Sequence, residues 1–326
     1  MIPLSILELG RVRQGSDRRT ALDNARTLAQ HAERLGFRRI WVAEHHNSAA
    51  VSTAATSVVL SHIAAGTTTI RVGAGGVMLP NHAPYVIAEH FGTLETLYPG
   101  RIDLGVGRAP GTDKMTLYAL RRDPENAENF PNDVLELQAF LAPKSEMQRI
   151  EAVPGSGTKV PLWILGSSLF GAQLAAAFGL PYAFGSQFSP QALYQALEVY
   201  RTNFQPSEQL QKPFTMIGVN VVAAETDAEA RVLATSQQMT FADMFRGKPS
   251  LLKPPVDDIE AYWTPMEKAQ TEQMLSCSIV GSAETVRNGL NQLVADTKAD
   301  ELLIVSDIFD FSKRMRSLEI TIQAAT

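Results

Sequence analysis

A regular alternation along the chain narrows the choice of fold more than any other feature. Short β-rich apolar runs come at residues 4–9 (LSILEL), 39–43 (RIWVA), 70–75 (IRVGAG), 101–107 (RIDLGVG), 161–166 (PLWILG), 182–186 (YAFGS), 215–224 (TMIGVNVVAA) and 301–306 (ELLIVS). Segments of helical period lie between them, such as ALDNARTLAQHAERLGF after the first run and FGAQLAAAFGL after the fifth, each closing on a glycine suited to a helix C-terminus. Eight strand-then-helix units point to an α/β fold of the (β/α)8 TIM-barrel type, ahead of a doubly wound sheet. Such barrels take about 250 residues before insertions, and this chain has 326. The surplus falls after the seventh strand, at about residues 240–278, where prolines, glycines and scattered aromatics (Phe241, Phe245, Tyr262, Trp263) interrupt the alternation. That segment reads as an insertion or lid on a single domain spanning 1–326.

Charge and cysteine content remove several function classes. The net charge of -5 is spread over the whole length, so nothing marks a nucleic-acid or anionic-membrane partner, and a small-molecule substrate is the default. Glu8 interrupts the first apolar run too early for a signal-peptide core, and no apolar stretch approaches a spanning length, so the chain reads as cytoplasmic. The one cysteine, Cys277, has no partner for a disulfide or a cysteine-based metal site and reads as apolar filler.

In a barrel of this type chemistry gathers at the C-terminal strand ends. The second strand runs out into Glu44-His45-His46, and His82 follows the third, whereas His31, His62 and His90 lie in helical patterns. Adjacent residues leaving a strand point in opposite directions, so His45 and His46 make a poor ligand pair and no metal is expected. Gly73, Gly75 and Gly76 weaken the third strand, which either a bulge or the approach of a flat ligand to bare backbone explains. Met78 and Leu79 then offer apolar wall or core packing. LGVGRAPGTD, after the fourth strand, is spaced one residue too long for a dinucleotide fingerprint, but it leaves Arg108 at the rim, suited to an anionic group. Gly166-Ser167-Ser168 joins the fifth strand to a helix, where serine hydroxyls and free backbone N–H groups suit a phosphate. Together these outline a pocket for a planar ring bearing a phosphate, such as flavin mononucleotide (FMN).

The stretches WVAEHHN, VGAGGVMLPNHAPYVIAEHFGTLETLYPGRIDLGVGRAPGTD and PLWILGSSLFGAQLAAAFGLPYAFGSQFSP resemble those of the bacterial luciferase-like flavin monooxygenases, especially the YhbW-type branch. The resemblance spans nearly the whole chain. It implies a barrel that receives reduced FMN (FMNH2) from a separate flavin reductase, with O2 as co-substrate, and inserts one oxygen atom into an organic substrate. It assigns His45 to the catalytic position beside the flavin and Gly75-Gly76 to a dipeptide, often joined by a cis bond, against which the ring lies. Arg108, Ser167 and Ser168 match the positions that hold the phosphate. Helices within 51–66 and 85–98 match a homodimer interface, in keeping with more apolar residues there than one helix face needs. Gly107 stands where the luciferases proper carry a reactive cysteine, so luminescence is not expected. The alternatives are an F420-dependent oxidoreductase of the same fold, disfavoured because this acidic chain advertises no basic channel for a polyglutamate tail, and a non-catalytic flavin-binding protein. A metal-dependent barrel hydrolase built on Glu44, His45, His46 and His82 ranks lowest.

Overall fold

The computed structural model describes residues 2–109 and 112–325. Its barrel strands are β1 (Leu4–Glu8), β2 (Arg39–Val42), β3 (Arg71–Met78), β4 (Ile102–Gly107), β5 (Leu162–Gly166), β6 (Tyr182–Phe184), β7 (Thr215–Ala223) and, after β8 (Ser278–Gly281), β9 (Glu301–Val305). Every pairing is parallel. β1 through β7 pair in order, β7 pairs with β9, and β9 returns to β1, which closes an eight-stranded barrel. β8 pairs only with Asn220–Ala223, the far end of the long β7, and so stands beside the barrel as a ninth strand. All eight runs read from the sequence are barrel strands. Among the described residues the helices are α1 (Arg18–Leu35), α2 (Thr56–Ala64), α3 (Pro84–Leu97), α4 (Lys114–Ala119), α5 (Phe130–Leu141), α6 (Leu169–Phe178), α7 (Leu193–Asn203), α8 (Asp227–Phe245), α9 (Pro265–Met274), α10 (Ala283–Thr297) and α11 (Phe311–Ala324). None of them is long and apolar enough to cross a membrane.

Local chemistry explains where the helices begin and end. The Asp17 side chain caps α1 by accepting from the Thr20 N–H, and Gly36, at φ 85°, ends it in the left-handed region that a residue without Cβ enters at little cost. One stripe of α1, from Ala21 through Ala25, Leu28, Ala29 and Ala32, is buried against the strands. The segment 240–278 is largely built structure. α8 runs into it as far as Phe245, with Phe241 and Ala242 buried, and α9 opens on a capping box between Thr264 and Glu267 with Pro265 in its first turn. Between those helices Leu252 pairs with the chain after β1, its N–H donating to Val12 O and its O accepting from Gln14 N–H.

The barrel interior is filled from the bottom upward. At the N-terminal end Arg39, 3% exposed, sits between two carboxylates, Asp103 Oδ2 at 2.7 Å and Glu301 Oε1 at 2.8 Å, which offset the cost of removing its charge from water. Above it lies a small apolar cluster that includes Leu7, Trp41, Trp163, Met216 and Leu303, with the two indoles edge to face at 5.1 Å. The larger core lies outside the strands, under the helices. Cys277 is half-buried against that outer core, and burial pushes its thiol up, as expected for a filler rather than a nucleophile.

Candidate functional site

The exits of β2 to β5 meet at the C-terminal mouth. In extended chain, residues two apart share a side, so Glu44 and His46 turn the same way and His45 turns the other. Glu44 is 1% exposed. Its Oε1 accepts from His46 Nε2 at 2.7 Å and from His82 Nε2 at 2.8 Å, and its Oε2 accepts from the Met78 N–H at 3.3 Å. Burial pushes the Glu44 carboxyl upward, but the two imidazoles override it and hold the pKa at about 2. Glu44 thus ties the end of β2 to the turn Leu79–Asn81 after β3, from which His82 projects.

His45, just past β2, is exposed, yet enough protein surrounds it that burial lowers its pKa below the ordinary histidine value; the charge of Arg11 adds to this, and Glu44 opposes it. The arrangement fits a neutral imidazole.

β3 carries the glycines. The Gly75–Gly76 peptide is cis, and the pairing register with β4 shifts between Ala74 and Val77, a bulge. An ideal Cβ on Gly75 would lie 2.7 Å from Leu7 Cδ1, and one on Gly76 would lie 2.7 Å from Gly105 O. The β4 backbone beside Gly76 and the Leu7 and Trp41 side chains beside Gly75 leave little room for a Cβ at either position, and the bulge lies at this dipeptide. β3 also runs three residues beyond the sequence reading, to Met78, which stands beside Gly107 of β4.

Arg108, just past β4, is exposed, and its guanidinium lies 4.1 Å from the centroid of the Phe170 ring on α6. That contact brings it to the N-terminus of α6. Ser168 occupies the N-cap position but its hydroxyl makes no capping bond, so the first-turn N–H groups and the Ser167 and Ser168 hydroxyls at the end of β5, beside Gly166, remain available. A cation, free helix N–H groups and two hydroxyls are the donor set that an anionic phosphate takes. The tempting glycine spacing beyond Arg108 ends at Pro110 and Gly111, which lie outside the described residues.

The sequence put Glu44, His46 and His82 at one end of the barrel and set them aside, with His45, as a hydrolase metal set; it did not show that both imidazoles meet the one Glu44 carboxylate. Two loop contacts were also missed: Asn47 Nδ2 donates to Asp113 Oδ2 at 2.8 Å, joining the β2 and β4 loops, and Arg11 Nε donates to Asp307 at 2.9 Å, joining those of β1 and β9. A groove of about 310 Å³ opens on the outer side of the β3 loop, bounded by His82, Tyr85, Arg122, Asn126 and Asp133 among others.

With this geometry in view, comparison with known proteins decides the family. The luciferase-like monooxygenase family matches residues 2–301. The chain belongs to that family. A luciferase-like monooxygenase of Escherichia coli (strain K12) is 48% identical over 320 residues, covering 98% of this chain and 96% of that protein. The Bacillus subtilis (strain 168) protein YvbT is 50% identical over 318 residues, covering 97% and 95%. Among solved structures, apo-MsnO8 matches with a TM-score of 0.93 at 35% identity, over 100% of this chain and 98% of that one. Two remoter folds carry bound cofactors: the oxygenating constituent of 3,6-diketocamphane monooxygenase of Pseudomonas putida in complex with FMN (TM-score 0.72, 19% identity, 98% and 96% covered), and an F420-dependent secondary alcohol dehydrogenase with an F420-acetone adduct (TM-score 0.75, 14% identity, 100% and 99% covered). This luciferase-like monooxygenase is accordingly an enzyme, and its TIM barrel is the fold expected of it.

Proposed function

We propose that this enzyme takes reduced FMN from a separate flavin reductase and uses O2 to insert one oxygen atom into a small organic substrate in the cytoplasm. The observation that carries this reading is the meeting of Arg108 with the uncapped N-terminus of α6, held together by the Phe170 ring. A terminal phosphate fits there, and a nucleotide dephosphorylated at that end would leave the donors without an acceptor. Reduced FMN supplies the two electrons with which one atom of O2 enters the product and the other leaves as water.

The chain's own residues do the rest. Arg108, Ser167, Ser168 and the Gly166 backbone bind and orient the phosphate. Gly75, Gly76 and Met78 form the β3 side of the mouth, against which the flavin ring lies. His45 stands where an imidazole can take up a proton and return it. A loop that covers the mouth excludes water; the stretch around Leu252, tied to the chain after β1, supports that role for the segment 240–278.

The test is an anaerobic titration with reduced FMN followed by rapid mixing with O2, on wild type and His45→Ala. Wild type should bind the reduced cofactor saturably. The variant should bind it equally well but fail to couple its oxidation to substrate oxygenation. Absence of reduced-FMN binding, or binding of F420 in its place, would overturn the cofactor assignment; unchanged coupling in the variant would remove His45 from the chemistry.

A further inference from the structure

We propose that Glu44, His46 and His82 form a binding site for one divalent transition-metal ion at the exits of β2 and β3. Three donors of the right kind already converge: Oε1 of Glu44, Nε2 of His46 and Nε2 of His82 all lie within 4.8 Å of one another. They come from two elements, because the extended β2 exit turns Glu44 and His46 to one side while the turn Leu79–Asn81 sends His82 back toward them.

The geometry needs little change. Ligand atoms at about 2.0–2.1 Å in a tetrahedron stand roughly 3.3 Å apart, and the two carboxylate–imidazole distances are 2.7 and 2.8 Å. Each imidazole therefore withdraws from the carboxylate by about half an ångström, and the two Nε2 atoms, within 4.8 Å of each other, close to the same spacing. The carboxylate is fixed from behind by the Met78 N–H on Oε2, the kind of outer contact that orients a metal ligand. His82 lines the groove of about 310 Å³, which leaves an approach for the ion and space for a water as fourth ligand. Two imidazoles and one carboxylate select borderline ions such as Zn²⁺, Co²⁺ or Fe²⁺ over Mg²⁺ or Ca²⁺, which take oxygen ligands. The bound ion cross-links the β2 exit, which carries His45, to the turn after β3. No redox step is assigned to it, and the site does not depend on the flavin reading.

The experiment uses the full chain, stripped with chelator, in equilibrium dialysis against Zn²⁺ and, for its visible bands, Co²⁺. One ion per chain is expected, with a Kd at or below ~10 μM and a rise in melting temperature on binding. Affinity should fall at least ~10-fold in both His46→Ala and His82→Ala and stay within a few-fold in His45→Ala, whose imidazole faces away from the cluster. Circular dichroism confirms that each variant is folded. Substoichiometric binding by wild type at ~100 μM Zn²⁺, or affinity unchanged in both His46→Ala and His82→Ala, would overturn the site. Neither result touches reduced-FMN binding, which is measured separately, so failure of this inference and failure of the flavin reading are distinguishable.

Discussion

At the scale of single residues, direction matters more than identity. His45 and His46 are neighbours in sequence, but the pleat turns His46 onto Glu44 and His45 away from it. The argument that adjacent histidines make a poor ligand pair holds for these two. It set Glu44, His46 and His82 aside along with them, because how closely His82 approaches the other two depends on how the chain turns after β3, which no spacing records. Arg108 was legible as a rim cation, but its stacking on Phe170 was not, since the two lie 62 positions apart and only the β4–β5 pairing brings them together. Its role gives a sharp prediction. Replacing a charge-assisted donor to phosphate costs about 1.5–3 kcal/mol, so Arg108→Ala should weaken FMN binding roughly 10- to 150-fold. Riboflavin, which lacks the phosphate, should bind wild type and variant alike. Equal losses for both ligands in a fluorescence titration would show that Arg108 does not read the phosphate.

At the scale of elements, the sequence shows most clearly what is apolar and contiguous. The eight barrel strands are runs of that kind. β8 was missed because it is four residues long and only partly buried over most of its length, at the end of a stretch that reads as an irregular insertion. α9 was missed although its sequence, Thr264-Pro265-Met266-Glu267, carries both a capping box and an early proline; the surrounding breakers masked the signal. A different junction shows how elements are tied together. Glu33, near the end of α1, accepts the backbone N–H groups of Thr68, Thr69 and Ile70, just before β3, at 2.8, 2.5 and 2.9 Å. Burial works against its ionisation, but those donors outweigh burial and hold its pKa at about 2, against the usual 4.5. A carboxyl depressed in the folded state stabilises it above the unfolded pKa and loses that contribution as pH falls through the folded one. The site is largely solvated, so screening keeps the contribution near ~1 kcal/mol. Glu33→Ala should therefore be less stable than wild type by about that amount at pH 7, and urea denaturation curves of the two should converge between about pH 4.5 and 2. A difference that persisted unchanged at the lowest pH would mean that the side chain acts through packing instead.

At the scale of the whole molecule, the described surface presents apolar side chains where a monomer has little use for them. Val58 on α2 is 67% exposed, Leu97 on α3 is 59% exposed, and Val86 on α3 joins them. These are the helices whose apolar excess was read from the sequence as more than one buried face requires, and the structure shows where the excess goes: the inner faces of α2 and α3 bury Val59, Leu60, Ile63, Ile87 and Phe91 in the outer core, while the remainder faces outward. Exposed apolar residues grouped on neighbouring helices mark interaction surfaces, and a surface carried by every copy of a chain is readily satisfied by a two-fold partner. The α2–α3 face is thus proposed as a homodimer interface. Light scattering at micromolar concentration should give twice the mass of one chain. The double substitution Val58→Glu with Leu97→Glu would place two like charges from each subunit at the contact. It should yield a folded monomer, because neither side chain contributes to the inner core. A wild-type monomer would end the proposal directly, and a variant that stayed dimeric with unchanged affinity would move the interface to another face of the barrel.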